Sequence, residues 1–218
     1  WFLQGSTDVR KLQEKKIHFW DANVTPEFIA AQTHLEIDLP ENCLGAGYGH
    51  QMRNFGADYV PFLPADKYPT DNKGVDQLQK VMQNLQKNPF DRRHIITLWN
   101  PMDLNKAALP PCHSLVLQFL VEEKDDQYLL KTMMYQRSAD FFHGVPFNIA
   151  SNSLLTHLIA DYLNKKSEDK KWIASEFHHF IADAHIYNSH LEAVDTQLNR
   201  IPYSFPTLKI DPDASYKS

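Results

Sequence analysis

A chain of 218 residues with 43% hydrophobic content can bury one substantial core, and its length fits a single domain over residues 1–218 better than two. Its formal net charge of −5 argues against a general nucleic-acid surface, DNA included, so any anionic ligand must be held by a few local arginines. Two cysteines, Cys43 and Cys112, are too few for a disulfide framework, and no apolar run reaches the length of a membrane span. A cytoplasmic, reducing compartment with no membrane partner is the expectation.

In chain order, Trp20 of "IHFWDAN" reads on its own as a core aromatic, and "DKYPTDNKG" as an exposed loop. In "VDQLQKVMQNLQKN" Val75, Leu78, Val81, Met82 and Leu85 recur at helical spacing, and Asn88-Pro89 ends that amphipathic helix. Arg92 and Arg93 follow. Strand-like runs cover residues 94–99, 114–121 and 129–135. A helix from Pro146 carries Ile149, Leu154, Leu155, Leu158, Ile159, Tyr162 and Leu163, a stripe broad enough to be buried on more than one side. The polar "NKKSEDKK" reads as a loop, "FHHFIADAHIY" as a strand, and residues 189–198 as a last helix. Helix, several strands, helix, strand, helix argues for an α+β fold, one mixed β-sheet flanked by helices, rather than strict βαβ alternation.

Two stretches concentrate chemistry. In "LPPCHS", Pro110 and Pro111 fix two φ angles ahead of Cys112, holding its position rigidly. A thiolate is the useful nucleophile and needs nearby positive charge to be well populated, whereas a Cys between apolar runs is also a small buried hydrophobe. His113 is weak evidence for a Cys-His pair, because neighbours on an extended chain point to opposite sides. "MMYQRSADFFHGVPFNIAS" gathers Gln136, Arg137, Ser138, Asp140 and Asn148 where the surroundings are apolar. Arginine with serine suits a phosphate, and an asparagine can match an imide edge that sets a carbonyl beside an N–H, as uracil does. A structural network, with Asp140 pairing Arg137, would use the same residues without a ligand. His178, His179, Asp183, His185 and His190 lack a catalytic zinc spacing such as H-E-x-x-H, so no metal is expected.

The motifs "WFLQGST", "IHFWDAN", "GYGHQMRNFG", "DQL", "DRRHIITLWNP", "LPPCHS", "YQRSAD", "GVPFNIAS", "DAHIYNSH" and "PTLKI" run almost end to end. Together they resemble the thymidylate synthase family, in the family's order and spacing, and most of all its eukaryotic-type branch. The resemblance implies a homodimer formed through the sheet, in which deoxyuridine monophosphate (dUMP) is methylated by methylenetetrahydrofolate, the folate giving both the one-carbon unit and the reducing hydride. It implies that Cys112 attacks the sixth position of uracil. Arg137 and Ser138 match phosphate ligands, and Arg92 and Arg93 match the pair that reaches the phosphate from the other subunit. Asn148 matches the reader of the uracil edge. His185 and Tyr187 match ligands of the sugar hydroxyl, with both side chains on one strand face. Asp140 and Trp20 match folate-binding positions, while Tyr48, His113 and Gln136 match the network of proton relays near the base.

The chain departs from the family pattern at Ala46, Gly47 and Met52, expected near the cofactor side of the pocket in a looser loop, and at Asn152, Ala182, Phe142 and His143. The family's catalytic glutamate, an N-terminal phosphate-gripping arginine and a C-terminal segment closing over folate would lie beyond the two ends given, so the parent protein is expected to be longer. A dUMP hydroxymethylase on the same fold and a non-catalytic nucleotide- or RNA-binding relative are the alternatives. Trp20 argues against the first, since an aromatic wall keeps water from the intermediate. Cys112, present with its matching ligands, argues against the second.

Overall fold

The computed structural model describes residues 1–166 and 170–213. In chain order the regular elements are α1 (Arg10–Gln13), α2 (Pro26–Ala30), α3 (Tyr48–Asn54), α4 (Gln77–Lys87), β1 (Ile95–Thr97), β2 (Val116–Lys124), β3 (Gln127–Asp140), α5 (Gly144–Lys166), β4 (Lys171–His185) and α6 (Leu191–Leu198). Asp76 starts α4 by accepting the Gln79 amide at 2.9 Å, and the helix buries Leu78, Val81 and Leu85 as its spacing predicts.

The four strands lie in the order β1-β2-β3-β4. The first two junctions are antiparallel and the last is parallel, which makes the sheet mixed. β2 and β3 close over Asp125 and Asp126, whose φ values of 50° and 61° give the left-handed pair that a two-residue hairpin requires and aspartate tolerates. A parallel junction needs a crossover, and α5 supplies it. One face of the sheet, through Leu117, Phe119, Leu130 and Met134, packs on Leu155, Ile159 and Leu163 of α5 and on α4. Each such side chain contributes about 1.5–3 kcal/mol by leaving water. The other face shows Ile95, Val116, Met133, Tyr135 and Phe180 to solvent, with Phe180 at 67% exposure. Among the described residues no helix is long and apolar enough to cross a membrane.

The α+β reading holds, with shifted boundaries. β3 continues to Asp140 through the polar "YQRSAD" because β4 supplies a full ladder beside it, Ser138 opposite Asp183 and Asp140 opposite His185. Hydrogen bonding across strands overrides composition there. β4 begins at Lys171 rather than 177: Asn164 pairs through its side chain with both backbone groups of Trp172 at 2.8 Å and starts the strand from the end of the helix. α5 runs to Lys166, so the first residues of "NKKSEDKK" are helical and its centre, 167–169, lies outside the described residues. The last helix is preceded by a 3-10 turn at Asn188–His190.

Candidate active site

Cys112 sits in the segment ahead of β2, half-buried, and β3 ties that segment down. Arg137 donates its backbone N–H to the Cys112 carbonyl at 3.0 Å, its Nε to the Pro111 carbonyl at 2.9 Å and its Nη2 to the Pro110 carbonyl at 3.3 Å. The guanidinium also lies over the Trp99 ring, 5.7 Å from its centroid. The prolines supply carbonyls and no amide donors, so the arginine is their natural partner and locks the turn that carries Cys112.

Tyr48, at the start of α3, reaches the same residue from the opposite side. Its hydroxyl accepts the Cys112 amide at 3.1 Å and lies 3.4 Å from Sγ, so its own proton is the one available to the sulfur. Burial, reinforced by the charge interaction with Cys112, pushes the Tyr48 hydroxyl well above its ordinary range, which keeps it a donor. The His113 ring stacks on Tyr48 with centroids 4.5 Å apart. Cys112 and His113 therefore meet at Tyr48, one at its hydroxyl and the other at its ring face, although they do not pair with each other.

The buried polar residues of α5 fall at 148, 152 and 156, about one turn apart on one face. Asn152 donates Nδ2 to the Asn148 carbonyl at 2.8 Å, so its Oδ1 is the atom that accepts the Ser114 hydroxyl at 3.2 Å. Ser114 then accepts from His113 Nδ1 at 2.9 Å, which fixes the proton on Nδ1 and leaves Nε2 an acceptor. Burial, with the nearby His179 adding to it, lowers the His113 ring to about 4, so it is neutral at physiological pH. A second branch starts at His179, which donates Nε2–H to Gln136 Oε1 at 2.8 Å. Gln136 Nε2 in turn donates to the Ser138 carbonyl at 2.9 Å and to Asn148 Oδ1 at 3.1 Å. The Asn148 amide is thereby oriented: Oδ1 toward Gln136, Nδ2 free to donate elsewhere.

Asp140 closes β3 and does not pair with Arg137. Its Oδ1 accepts the amides of Phe142 and His143 at 3.2 and 3.0 Å, while its ladder partner His185 lies edge to face against Tyr187 with centroids 5.1 Å apart. β4 ends at His185, so Tyr187 is not on the strand as expected; extended backbone at Tyr187 (φ −70°, ψ 144°) keeps the two rings together. Trp20 packs on Tyr48 at 6.1 Å and on Phe19 at 5.7 Å, and Phe19 packs on Phe147 of α5 at 5.6 Å. These rings form an aromatic shelf beside the cysteine.

Arg92 and Arg93 are exposed and lie before β1, where Gln118 donates to the Arg92 carbonyl at 3.2 Å and Arg93 pairs with Asp91 at 2.7 Å. Because β1 runs antiparallel to β2, this places them at the opposite end of the strand pair from Cys112. One chain does not bring these arginines to its own cysteine.

Sequence reasoning passed over Ser114, Phe19 and Phe147, weighed His179 only as a metal ligand, and treated Asn152 only as a departure. The spacing of Asn148, Asn152 and Thr156 at i, i+4 was the signal for the buried network. Met52, expected near the cofactor side, turns instead into the main core with no exposure, because the α3 face that carries it packs inward. The neighbouring loop is tied rather than loose, with the Ala46 amide donating to the Lys106 carbonyl at 2.8 Å.

A family model described as thymidylate synthase matches residues 1–218. The chain belongs to the thymidylate synthase family. It is 47% identical over 98% of its length to a probable thymidylate synthase of Schizosaccharomyces pombe, covering 32% of that protein. To bifunctional dihydrofolate reductase-thymidylate synthases it is 45% identical over 97% of its length for Zea mays, covering 37% of that protein, and 43% over 98% for Plasmodium berghei, covering 33%. The chain thus spans about a third of the length of these curated relatives. Thymidylate synthase family membership agrees with the motif resemblance and with the mixed sheet.

Proposed function

We propose that the protein is a thymidylate synthase that methylates dUMP with methylenetetrahydrofolate as co-substrate, working as a cytoplasmic homodimer through a covalent adduct on Cys112. The observation that carries this reading is the orientation of Asn148. With Oδ1 committed to Gln136 at 3.1 Å as an acceptor, Nδ2 can donate to the uracil carbonyl while the second lone pair of Oδ1 takes the neighbouring ring N–H. Cytosine offers a donor and a lone pair at those two places, so both contacts fail.

Arg137 and Ser138 suit the phosphate, and His185 with Tyr187 the sugar hydroxyl. Cys112 Sγ adds to the sixth ring carbon and the ring electrons move to an enolate, whose fifth carbon bonds the folate's one-carbon unit. The fifth carbon then loses its proton as the bond between the one-carbon unit and the folate nitrogen breaks, which leaves an exocyclic methylene on the ring and releases tetrahydrofolate. Hydride from the folate reduces the exocyclic methylene as the C–S bond breaks, giving thymidylate and dihydrofolate. Tyr48 donates toward Sγ, and neutral His113 presents Nε2 as an acceptor for the proton relays near the base. Trp20 walls off water and Asp140 accepts from the pterin.

The apolar sheet face supports the dimer, since five large side chains at solvent on one flat surface mark an interaction site. A two-fold partner on that face would bring its Arg92 and Arg93 to this chain's phosphate, which explains why they stand far from their own cysteine. The test is mass spectrometry of the full-length protein with dUMP and deoxycytidylate competing. One thymidylate per dihydrofolate, from dUMP alone, is expected; a hydroxymethyl product, or none, overturns the reading.

A further inference from the structure

The end of β3, the start of α5 and the turn before α6 meet at three side chains, Asp140, His143 and His190, that the network around Cys112 does not use for hydrogen bonding. One ligand-type atom from each lies within 4.8 Å of the others. We propose that these three residues bind a divalent transition-metal ion of the zinc class.

Two histidine nitrogens and a carboxylate are the donor set of open zinc and non-haem metal sites, and the nitrogens disfavour magnesium and calcium. His190 Nδ1 is enclosed and has no hydrogen-bond partner, although Asp140 Oδ1 lies 3.7 Å away. That gap is too long for a hydrogen bond, and it sets the carboxylate near the roughly 3.3 Å at which metal bonds of about 2.0–2.1 Å hold tetrahedral neighbours. The carboxylate is already oriented: both turn amides, from Phe142 and His143, fall on Oδ1, the oxygen 3.7 Å from His190 Nδ1, which leaves Oδ2 as the oxygen open to a metal. The His143 ring centroid is 4.9 Å from that of His190, and His143 is exposed, so its ring stands at the open side of the cluster. Adjacency along the chain does not reveal such a site, because His143 and His190 belong to different elements.

Metal here would engage the carboxylate that the proposed function gives to the pterin, and so would compete with folate; this consequence, unlike the site, rests on that reading. The experiment titrates the full-length protein with cobalt(II) and follows its visible ligand-field bands, then displaces cobalt with zinc. One equivalent should bind, and His143→Ala should weaken binding at least tenfold while His178→Ala, at an exposed histidine elsewhere, leaves it unchanged. His143 is exposed, so its loss does not unfold the chain. No stoichiometric band, or a band that His143→Ala leaves intact, overturns the site. With the bands in place, zinc should raise the KM for folate in the parent and not in His143→Ala. Bands without that effect count against Asp140 as the pterin acceptor and leave the metal site standing.

Discussion

The two sides of Cys112 are built differently. Toward the base, Gln136, Asn148, Asn152, Ser114, His113 and His179 satisfy one another in a largely buried network that fixes a tautomer and an amide orientation before any ligand arrives, and Arg137 ties down the carbonyls of Pro110 and Pro111 beside it. Toward the proposed folate, Phe19 and Phe147 are 54% and 58% exposed and make ring contacts only. Hydrogen-bond networks impose direction, so the first side can choose between bases; an open aromatic shelf offers area and tolerance. Selectivity should therefore reside in the first side and affinity for the second substrate in the other.

The largest effect expected is from Cys112→Ser. Turnover should fall by at least about a thousandfold, because a hydroxyl is a far weaker nucleophile, while dUMP binding by calorimetry persists. Loss of binding along with turnover would show that the thiol holds the network together rather than reacting. Gln136→Leu keeps the volume and removes the brace on Asn148. The preference for dUMP over deoxycytidylate should drop roughly 10- to 100-fold, and stability by about 1–3 kcal/mol, as Asn148 Oδ1 and His179 lose partners. Asn148→Asp tests the same contact directly, and an unchanged preference for uracil would refute the orientation argument.

Much of the base side was legible in the sequence, since buried polar residues clustered in "YQRSAD" and "GVPFNIAS" announce a need for partners. The identity of those partners was not legible. His179 comes from a strand 43 residues beyond Gln136 and Ser114 from a turn 38 before Asn152, distances along the chain that only the sheet and crossover convert into contact. The amphipathic α4 and the central α5 followed from periodicity, whereas the ends of β3 and β4 depended on each other and so could not be read from either alone. The aromatic shelf escaped for a different reason: exposed Phe19 and Phe147 carry no pattern, and only the fold sets them side by side.

His113 gives a smaller, pH-dependent effect that belongs to the base side alone. Its ring titrates near 4 when folded and near 6.5 when unfolded, so the unfolded chain binds the extra proton between those values. The stability linked to a neutral His113 is present above about pH 6.5 and is lost as the pH falls toward 4, by on the order of 3 kcal/mol if the whole shift is expressed. His113→Asn should flatten the denaturation midpoint over that window, relative to the parent. Burial lowers His50 and His179 as well, so a slope of the same sign should remain in the variant. A parent and variant with the same slope would mean that the ring is protonated where it stands and that Ser114 does not fix its tautomer.

The smallest effect separates the two sides most cleanly. Phe147→Ala removes a ring that contributes to the shelf and to no hydrogen bond of the network, and an aromatic pair is worth about 0.5–1.5 kcal/mol beyond the area it covers. The KM for methylenetetrahydrofolate should rise roughly 3- to 10-fold, with dUMP affinity and the choice between bases unchanged. Should the variant lose dUMP affinity or base preference instead, the shelf would be supporting α5 and, through it, Asn148 beside it and Asn152 a little over one turn along. Tolerance on the folate side would then be a property of the whole helix, and the contrast between a directed half and an open half would have to be redrawn as a single rigid unit.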